Sequence, residues 1–520
     1  MRKRLFGGIG LGVALALLGS QSPSGATEYM LGGNPAHVMG YIDQGAAYGI
    51  GGDHYDTKKG FQSAIFSALL EGDYVPTPEL KLFASGKLTA DWAYDILHNN
   101  QEWQDKGFSR SRNELYLDTG WRKMLHEAHV TWSSGNLNVR AGKQIVAWGE
   151  TDGLRIMDQI NPLDQRRGLA DVEFENTIIP IWLVKTEYFF KPQSSWLQDL
   201  GLELVFNPNA DFQPNRGLEV GNDKGGIWAP NIDLGQIPVA FDPETGLPVA
   251  FAPARLGSFV QRIDQPRAWD RQGMEFGARL KAVINDKIIT LNYFNGRENA
   301  PITRVSGPPV GVEPASDGVL LLHLPLEGFF PRQRFAGATF SGDFTSLKAS
   351  SLGGVAPVLR LEGFYAFGET YATTEQPLAR FVTHNEIRYA VGVDWKIKVP
   401  FLNPRAYFTI SPQFFHKKIL GYPSDFKLVS TEGPVDENNY ATTLLVTTTY
   451  FHNKIVPLVF WLRDITNNAH LVKAQVTYVY SQSTWQFTVG TLLLSGEEKG
   501  KGFQPLENKD QVYATIKYRF

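Results

Sequence analysis

The chain has 520 residues, no cysteine, and 50 Lys and Arg against 53 Asp and Glu, giving a net charge of −3 at pH 7. This composition excludes disulfide stabilisation and provides no general basic surface for nucleic acid. No segment after the N-terminus approaches the roughly 18 consecutive apolar residues of a membrane-spanning helix, which excludes a helical membrane protein.

The N-terminus has the layout of a secretory signal peptide. Met1–Arg4 is positively charged, Leu5–Leu18 is apolar, and Ser24–Ala26 ends in small residues. As a helix the apolar run would rise only about 21 Å, less than the roughly 30 Å hydrocarbon core, so a transmembrane anchor is disfavoured. We therefore expect residues 1–26 to be cleaved on export and 27–520 to form the mature protein.

Segments in which polar and apolar residues alternate recur along the mature chain. A period of two predicts β-strands with one apolar and one polar face. Such segments start near residues 37, 61, 80, 125, 137, 177, 199, 273, 286, 333, 357, 386, 404, 440, 455, 469, 483 and 511. The pattern predicts an all-β fold, a single transmembrane antiparallel β-barrel of about 18 strands. The charged side chains expected to face its lumen are Glu275, Arg279, Lys281, Lys473, Lys517 and Arg519.

The connections between these segments alternate between short and long. Short ones include Ser133–Asn136 and Asn285–Asp286, whereas long ones include 149–176 and 208–272. Outer-membrane barrels have this alternation, because their periplasmic turns are short and their extracellular loops are long. An even strand count follows, with 18 favoured and 16 as the alternative. A connection of about 65 residues would be unusual inside a soluble sandwich.

The last strand, Gln511–Phe520, alternates strictly and ends on an aromatic residue, with Tyr518 two positions before Phe520. It resembles the C-terminal strand of Gram-negative outer-membrane barrels, in which the terminal aromatic is part of the signal read by the insertion machinery. The resemblance implies that Tyr518 and Phe520 form such a signal.

The densest motif begins in the strand before the third outer loop. Gly142–Glu150 reads GKQIVAWGE, and Asn161–Asp164 reads NPLD. These blocks resemble a family of Gram-negative outer-membrane β-barrels of unknown function, whose members carry G-(R/K)-Q-x-x-x-W-G-E followed by N-P-(L/V)-D. The resemblance implies a barrel concerned with the passage of compounds, and it supplies no catalytic residues. The long, Pro-rich fourth loop of this chain departs from the family pattern.

Both signs of charge are concentrated in the third outer loop. If the loop folds into the lumen, opposing carboxylates and guanidinium groups would line the narrowest point and select polar solutes. The alternative is a solvated or internally paired cap, whose carboxylates satisfy backbone amides. The candidate constriction residues are Glu150, Asp152, Arg155, Asp158, Asp164, Arg166 and Arg167.

The fourth outer loop, 208–272, contains two similar apolar blocks, Ile237–Phe241 and Leu247–Phe251. Such apolar density is unusual in a loop exposed to water. We expect a small hairpin that packs over the barrel mouth; the alternative is an apolar docking surface for a hydrophobic substrate or a membrane-embedded lip.

These features together predict a non-enzymatic channel for passive passage of small solutes across the outer membrane. Two alternatives remain: a barrel that transports hydrophobic compounds or lipids, and a non-conducting docking barrel with periplasmic partner proteins. No catalytic residue, metal site or cofactor is expected, because the chain has no nucleophile motif, P-loop or calcium loop. The expected partners are outer-membrane lipid, lipopolysaccharide and the barrel-insertion machinery, with no nucleic acid.

Overall fold

The computed structural model describes residues 27–520 apart from 53–56, 169–176, 192–193, 218–225, 231–232, 316–317, 375–378, 432, 481–483 and 499. The expected signal peptide, 1–26, lies outside the described residues, so its cleavage stays a prediction. Among the described residues, no helix combines the length and the apolar character needed to cross a membrane.

Eighteen antiparallel strands form a closed barrel, numbered here in chain order. They are β1 Asn34–Gly49, β2 Ile65–Thr77, β3 Leu80–Asp91, β4 Leu125–Ser134, β5 Leu137–Gln144, β6 Ile181–Phe190, β7 Leu197–Asn207, β8 Glu275–Ile284, β9 Lys287–Arg297, β10 Arg332–Asp343, β11 Val358–Thr373, β12 Phe381–Ile397, β13 Phe408–Ile419, β14 Asn438–Thr447, β15 Ile455–Asp464, β16 Ala469–Tyr480, β17 Trp485–Gly496 and β18 Gln511–Arg519.

Each strand pairs with its sequence neighbour, and β18 pairs with β1 to close the barrel, with Ala514 opposite Ala46. Closure leaves no unpaired strand edge in the barrel wall, as a lipid environment requires. The predicted fold class and strand number are confirmed, and the alternative of 16 strands is wrong. Every predicted start lies within five residues of a strand's first residue.

The two faces of the barrel wall differ in polarity. In β18 the side chains of Val512 and Ile516 are exposed by 39% and 48%, whereas Gln511, Tyr513 and Lys517 are buried. The exposed apolar face is the one that meets lipid, and the buried polar face lines the lumen. The same alternation in the other strands explains why their sequence pattern has a period of two.

Tight turns join the strands at one end of the barrel. Asn285 and Asp286 have φ values of 47° and 62°, the left-handed conformation that two-residue hairpin turns require. A longer turn after β14 holds Phe451, His452 and Asn453 at positive φ. Asn and Asp tolerate this conformation better than most residues, which is why these short connections were recognisable in the sequence.

The long outer loops contain additional elements. The hairpin expected in the fourth loop is present, and it belongs to a five-stranded sheet that also includes three strands of the fifth loop, 298–331. The sequence analysis assigned these three strands only to a loop, because they are short or not bounded by tight turns. The five strands are Asp233–Phe241, Pro248–Asp264, Ile302–Val305, Gly311–Pro314 and Leu320–Phe329.

Shorter elements complete the outer loops and the termini. Four helical turns occupy the second loop: Ala93–Ile96, Gln101–Asp105, Arg112–Leu115 and Trp121–Met124. Single 3-10 turns lie at Phe108–Ser111, Gly226–Trp228, Arg271–Gly273, Thr345–Leu347, Ser350–Leu352 and Gln504–Leu506. Short strands at Thr27–Leu31, Gly60–Ser63, Leu428–Ser430 and Gly433–Val435 extend the barrel sheet.

The buried apolar residues lie inside the barrel. One cluster joins Trp148 and Met157 to inward-facing aromatic residues of the wall, including Phe335 and Phe364. Another joins Trp103 in the second loop to Leu492 and other wall residues. The second and third loops therefore fold against the inner surface and occupy part of the lumen.

Candidate functional site

The third loop enters the barrel directly after β5. Trp148 is completely buried, and its indole Nε1 donates a hydrogen bond of 2.6 Å to Oε1 of Glu203 on β7. Its ring meets Phe294 of β9 edge-on, with centroids 6.4 Å apart. Because Glu203 and Phe294 alternate with the exposed residues Leu204 and Tyr293, both project inward, so Trp148 lies within the lumen.

Two carboxylates fasten the backbone that follows Trp148. Oδ1 of Asp158 accepts hydrogen bonds from the amides of Trp148 and Gly149, at 2.6 and 2.8 Å. An added Cβ at position 149 would lie 2.6 Å from Asp158 Oδ2, so a larger residue there would displace this carboxylate from the loop amides.

Glu362 of β11 provides the second fastening. Its Oε1 accepts hydrogen bonds from the amides of Glu150 and Thr151, the latter at 2.7 Å, and its Oε2 accepts one from the amide of Met157 at 3.1 Å. Glu362 is almost fully buried. A buried carboxylate that accepts several amide hydrogen bonds holds a loop strongly, because each bond is assisted by the charge.

The tip of the loop reaches further around the wall. Asp152 Oδ2 accepts hydrogen bonds from Arg360 Nη2 at 2.7 Å and from Gln413 Nε2 at 3.1 Å. Gly153 lies against Phe460 of β15. The nine residues from 145 to 153 can span at most about 30 Å, which is enough to reach from β5 to β15 through the lumen.

Asn161 clamps the two ends of the loop together. Its Oδ1 accepts a hydrogen bond from the amide of Val146 at 2.8 Å, and its Nδ2 donates to the carbonyls of Gln144 and Ile179 at 3.2 and 3.0 Å. Its own carbonyl accepts two hydrogen bonds from Arg155, both 3.1 Å. Burial lowers the pKa of the Arg155 guanidinium, although nearby Asp158 opposes this effect.

Arg166 and Arg167 join the third loop to the second. Both are buried, and Nη1 of Arg167 lies 2.8 Å from Oδ2 of Asp118, while Nη2 of Arg166 lies 3.2 Å from its Oδ1. Arg166 also pairs with Asp164 at 2.6 Å, and Arg216 of the fourth loop pairs with the same carboxylate at 3.2 Å. This is the paired arrangement that the cap interpretation expected for part of the loop.

Electrostatics keep the carboxylates of this network ionised. Burial by itself raises the pKa of Asp118, but Arg167, Arg166 and Lys123 outweigh it and hold the pKa well below its usual range. The pKa of Asp164 is likewise lowered by its arginine partners despite burial. The network therefore carries full charges at neutral pH and fixes the loops to one another.

A cavity of about 1550 Å³ lies beside the loop segment 153–159 and is bordered by β11–β15 and the outer loops. Its charged lining residues are Arg155, Arg304, Arg388, Lys417 and Lys501, with Asp158, Glu298, Glu369, Glu386 and Asp464. Apolar side chains such as Leu154, Ile156 and Phe415 share the lining. A solute in this space would meet charges of both signs and an apolar surface.

Ion pairs occupy three of the five cations of this cavity: Arg388, Arg304 through Glu327, and Lys501 through Asp436 at 3.2 Å. Arg388 is neutralised by Glu386 and by Glu369, the latter at 3.6 Å. Burial and the adjacent Glu369 carboxylate raise the pKa of Glu298 well above its usual range, which disfavours its charged form. Lys417 and Arg155 form no ion pair within the described part of the chain, and neither do the carboxylates Asp158 and Asp464.

A second, smaller cavity of about 100 Å³ lies between β1–β5 and the second, third and fourth loops. Its lining is predominantly basic. The charged residues are Lys87, Arg122, Lys123, Lys143, Arg167 and Arg216, with Asp43, Asp118 and Asp164. The linings of the two cavities together contain eleven Lys and Arg side chains and eight Asp and Glu side chains.

The residues expected to face the lumen lie on the inward face of their strands. Glu275 is buried and accepts a hydrogen bond of 2.8 Å from Asn207 Nδ2, and Arg279 Nη1 donates one of 3.3 Å to the Ala147 carbonyl. Lys281 and Arg519 share this inward register. Lys473 Nζ lies 5.5 Å from the centre of the Tyr513 ring, and Lys517 Nζ lies 4.3 Å from that of Tyr41.

The C-terminal aromatics take part in barrel closure. The amide of Phe520 donates to the Gly40 carbonyl at 3.0 Å, and the amide of Gly40 donates to the Phe520 carbonyl at 2.9 Å. The ring of Tyr518 lies 4.6 Å from that of Trp485. The role of these residues as an insertion signal stays a prediction.

Sequence reasoning found the loop but missed its partners. Glu203, Arg360, Glu362, Gln413 and Asp118 hold the loop in place, yet none was singled out in the sequence. Their alternation with apolar residues marks those on strands as inward-facing. It does not reveal which loop atom each one meets. The use of the candidate residues as a pore constriction also stays a prediction.

Comparison with known proteins gives similar folds at low identity. OpdK of Pseudomonas aeruginosa, solved with vanillate, is 8% identical with a TM-score of 0.43, over 93% of this chain and 98% of that chain. OccAB1 of Acinetobacter baumannii is 9% identical with a TM-score of 0.44, over 96% and 99%. OmpF of Salmonella typhi, solved with daunomycin, is 10% identical with a TM-score of 0.37, over 95% and 100%.

No curated protein matches the chain. A family model does match, over residues 21–520. The expected membership in a family of unknown function is therefore confirmed: the chain belongs to the family described as "Protein of unknown function (DUF1302)".

Proposed function

We propose that this protein is a non-catalytic outer-membrane channel through which small polar solutes pass passively, with a preference for anions. The observation that carries the proposal is the third loop, fastened across the lumen beside a cavity of about 1550 Å³ that Arg155 and Lys417 line. In a confined space of low effective dielectric, a single unpaired charge attracts or repels a solute more strongly than in bulk water.

The preference for anions is supported by the state of the lining residues. Lys417 and Arg155 line the cavity without an ion pair in the described residues, whereas a raised pKa disfavours the charged form of Glu298, and Glu386 is paired with Arg388. The predominantly basic small cavity has the same bias. Carboxylates and other small anions would therefore be enriched inside the lumen over cations of the same size.

The test is conductance of the purified protein in a planar bilayer. Under a tenfold KCl gradient, the reversal potential should have the sign of an anion-selective channel, and single-channel steps should be resolved. Lys454 lies exposed in a tight turn, so Lys454→Gln is a matched control that removes one positive charge away from the cavity. No conductance, even after deletion of residues 150–157, would contradict the proposal and favour the docking barrel.

A second candidate, transport of hydrophobic compounds, is favoured by the hairpin of the fourth loop. Phe241, Leu247, Val249 and Phe251 are exposed by 55–64%. Replacing Phe241 and Phe251 with Ser should reduce uptake of apolar compounds and leave uptake of sugars unchanged if this candidate is correct. Equal uptake of apolar compounds by variant and wild type would exclude this use of the hairpin.

A further inference from the structure

Four arginines lie at the long-loop rim of the barrel, three of them on the outward face of its strands. Arg297, at the end of β9, stands directly opposite Arg332, at the start of β10. Arg334 lies two residues further along the same face of β10, and Arg271 lies in the turn that leads into β8. The inward neighbours Phe294 and Phe335 are buried, which fixes Arg297, Arg332 and Arg334 on the lipid side. The carbonyl of Arg271 adjoins them, since it lies 3.5 Å from Arg332 Nη2.

The arginines meet carbonyl groups rather than carboxylates. Arg297 Nε donates to the Gln272 carbonyl at 2.7 Å, and Arg332 Nη1 donates to the Met274 carbonyl at 2.8 Å. Arg271 and Arg334 make no side-chain hydrogen bond, and none of the four forms an ion pair within the described residues. The nearest acidic side chains are Asp270, which caps the turn, and Glu275, which faces the lumen.

Like charges placed opposite one another across a strand pair are destabilising. Carbonyl oxygens orient the Arg297 and Arg332 side chains, but they do not neutralise the two adjacent positive charges. An anion between them would remove the repulsion. A guanidinium group binds phosphate through two parallel hydrogen bonds, so a cluster of four guanidinium groups suits a phosphate group.

The cluster lies at the edge of the apolar band. Arg334 stands opposite Asn295, which in turn stands opposite Phe276, an exposed aromatic of the kind found at membrane interfaces. The next outward-facing residues toward the barrel centre are apolar, with Tyr293 opposite Ala336. The guanidinium groups are therefore at the depth of lipid headgroups, where an arginine costs little to place.

We propose that Arg271, Arg297, Arg332 and Arg334 form a binding site for the phosphate of an outer-leaflet lipid, supplied by lipopolysaccharide. The long-loop end of the barrel faces the cell exterior, where lipopolysaccharide is the phosphorylated lipid of the outer leaflet. The site lies outside the lumen and does not depend on passage of solutes. It attaches the lipid to the wall beneath the fourth and fifth loops.

The test measures binding of the full-length protein in detergent to lipid A and to lipid A from which the phosphates have been removed. Wild type should bind the phosphorylated form at least about tenfold more tightly, since each guanidinium contributes a charge-assisted contact. The main variant is Arg271→Gln with Arg334→Gln, because neither side chain makes an internal hydrogen bond. It should lose about tenfold in affinity.

The matched control removes two cations from another part of the outer rim, Lys418→Gln with Arg463→Gln, and should bind as wild type does. Arg297→Gln with Arg332→Gln is a second test, checked for folding by the heat-dependent shift of the barrel in gel electrophoresis. Equal binding of both lipid forms, or wild-type affinity in the main variant, would overturn the proposal. Full competition by millimolar inorganic phosphate would overturn the assignment to a lipid.

Discussion

Glu362→Gln should loosen the third loop without unfolding the barrel. The carboxylate accepts hydrogen bonds from the amides of Glu150, Thr151 and Met157. A glutamine has one acceptor oxygen, so it can keep the pair at Oε1 but must present an NH₂ group to the amide of Met157. One bond to a charged group, about 1.5–3 kcal/mol, is lost, and the other two fall to the level of neutral bonds.

The combined loss is about 3 kcal/mol, since the site is almost fully buried and water cannot replace the bonds fully. This corresponds to about a hundredfold increase in local opening. Hydrogen–deuterium exchange of the peptide that contains residues 148–158 should accelerate by that factor. Single-channel recordings should become noisier, because the loop then leaves the wall more often.

Glu187→Gln is the matched control, because Glu187 also faces the lumen but pairs with Lys185 at 3.1 Å and has no hydrogen bond or ion pair to the described part of the loop. Its exchange in the same peptide should equal that of wild type. If Glu362→Gln changes the exchange by less than about threefold, contacts other than this carboxylate hold the loop, and the reasoning from amide hydrogen bonds is refuted.

Three further predictions concern charged residues that line the two cavities. The double variant Arg155→Gln with Lys417→Gln should shift the reversal potential in a KCl gradient toward that of a cation-selective channel. The shift should shrink near 1 M salt, where the Debye length is about 3 Å. An unchanged reversal potential would contradict the anion preference. Asp118→Asn should lower the free energy of local unfolding of the second loop by about 3–5 kcal/mol, since it leaves two buried arginines without their shared carboxylate. Because the pKa of Asp118 is lowered on folding, its contribution is present above its usual pKa of about 3.9 and is lost as pH falls through the folded value. Limited proteolysis of residues 92–124 at pH 7 and at lower pH measures both effects, and equal resistance of variant and wild type would contradict them. Because the pKa of Glu298 is raised on folding, the free energy of unfolding of the wild type should fall as pH rises above about 4.3. Glu298→Gln should therefore reduce the difference in melting temperature between pH 5 and pH 8. An undiminished difference would contradict the raised pKa of Glu298.

The barrel was predictable from the sequence because its signal is local. Each strand alternates by itself, and the turn at Asn285 and Asp286 uses residues that tolerate positive φ. The path of the third loop was not predictable, since Glu362 lies 205 residues from Met157 along the chain. Arg166 and Arg167 suggested a constriction by their charge alone. Their pairing with Asp118 depends on the contact between the second and third loops, which the periodicity of the sequence does not predict.

The clamp made by Asn161 has a consequence for how the protein assembles. Its partners lie within 18 residues, so the base of the loop can form as soon as β5 and β6 have paired. The tip, however, needs β11 to β15, whose contacting residues lie more than 200 positions away along the chain. The base and the tip therefore depend on contacts of very different sequence separation, and the tip reaches its place only once these strands have formed. A variant that weakens the base at Asn161 would leave the distant tip contacts alone to position the loop.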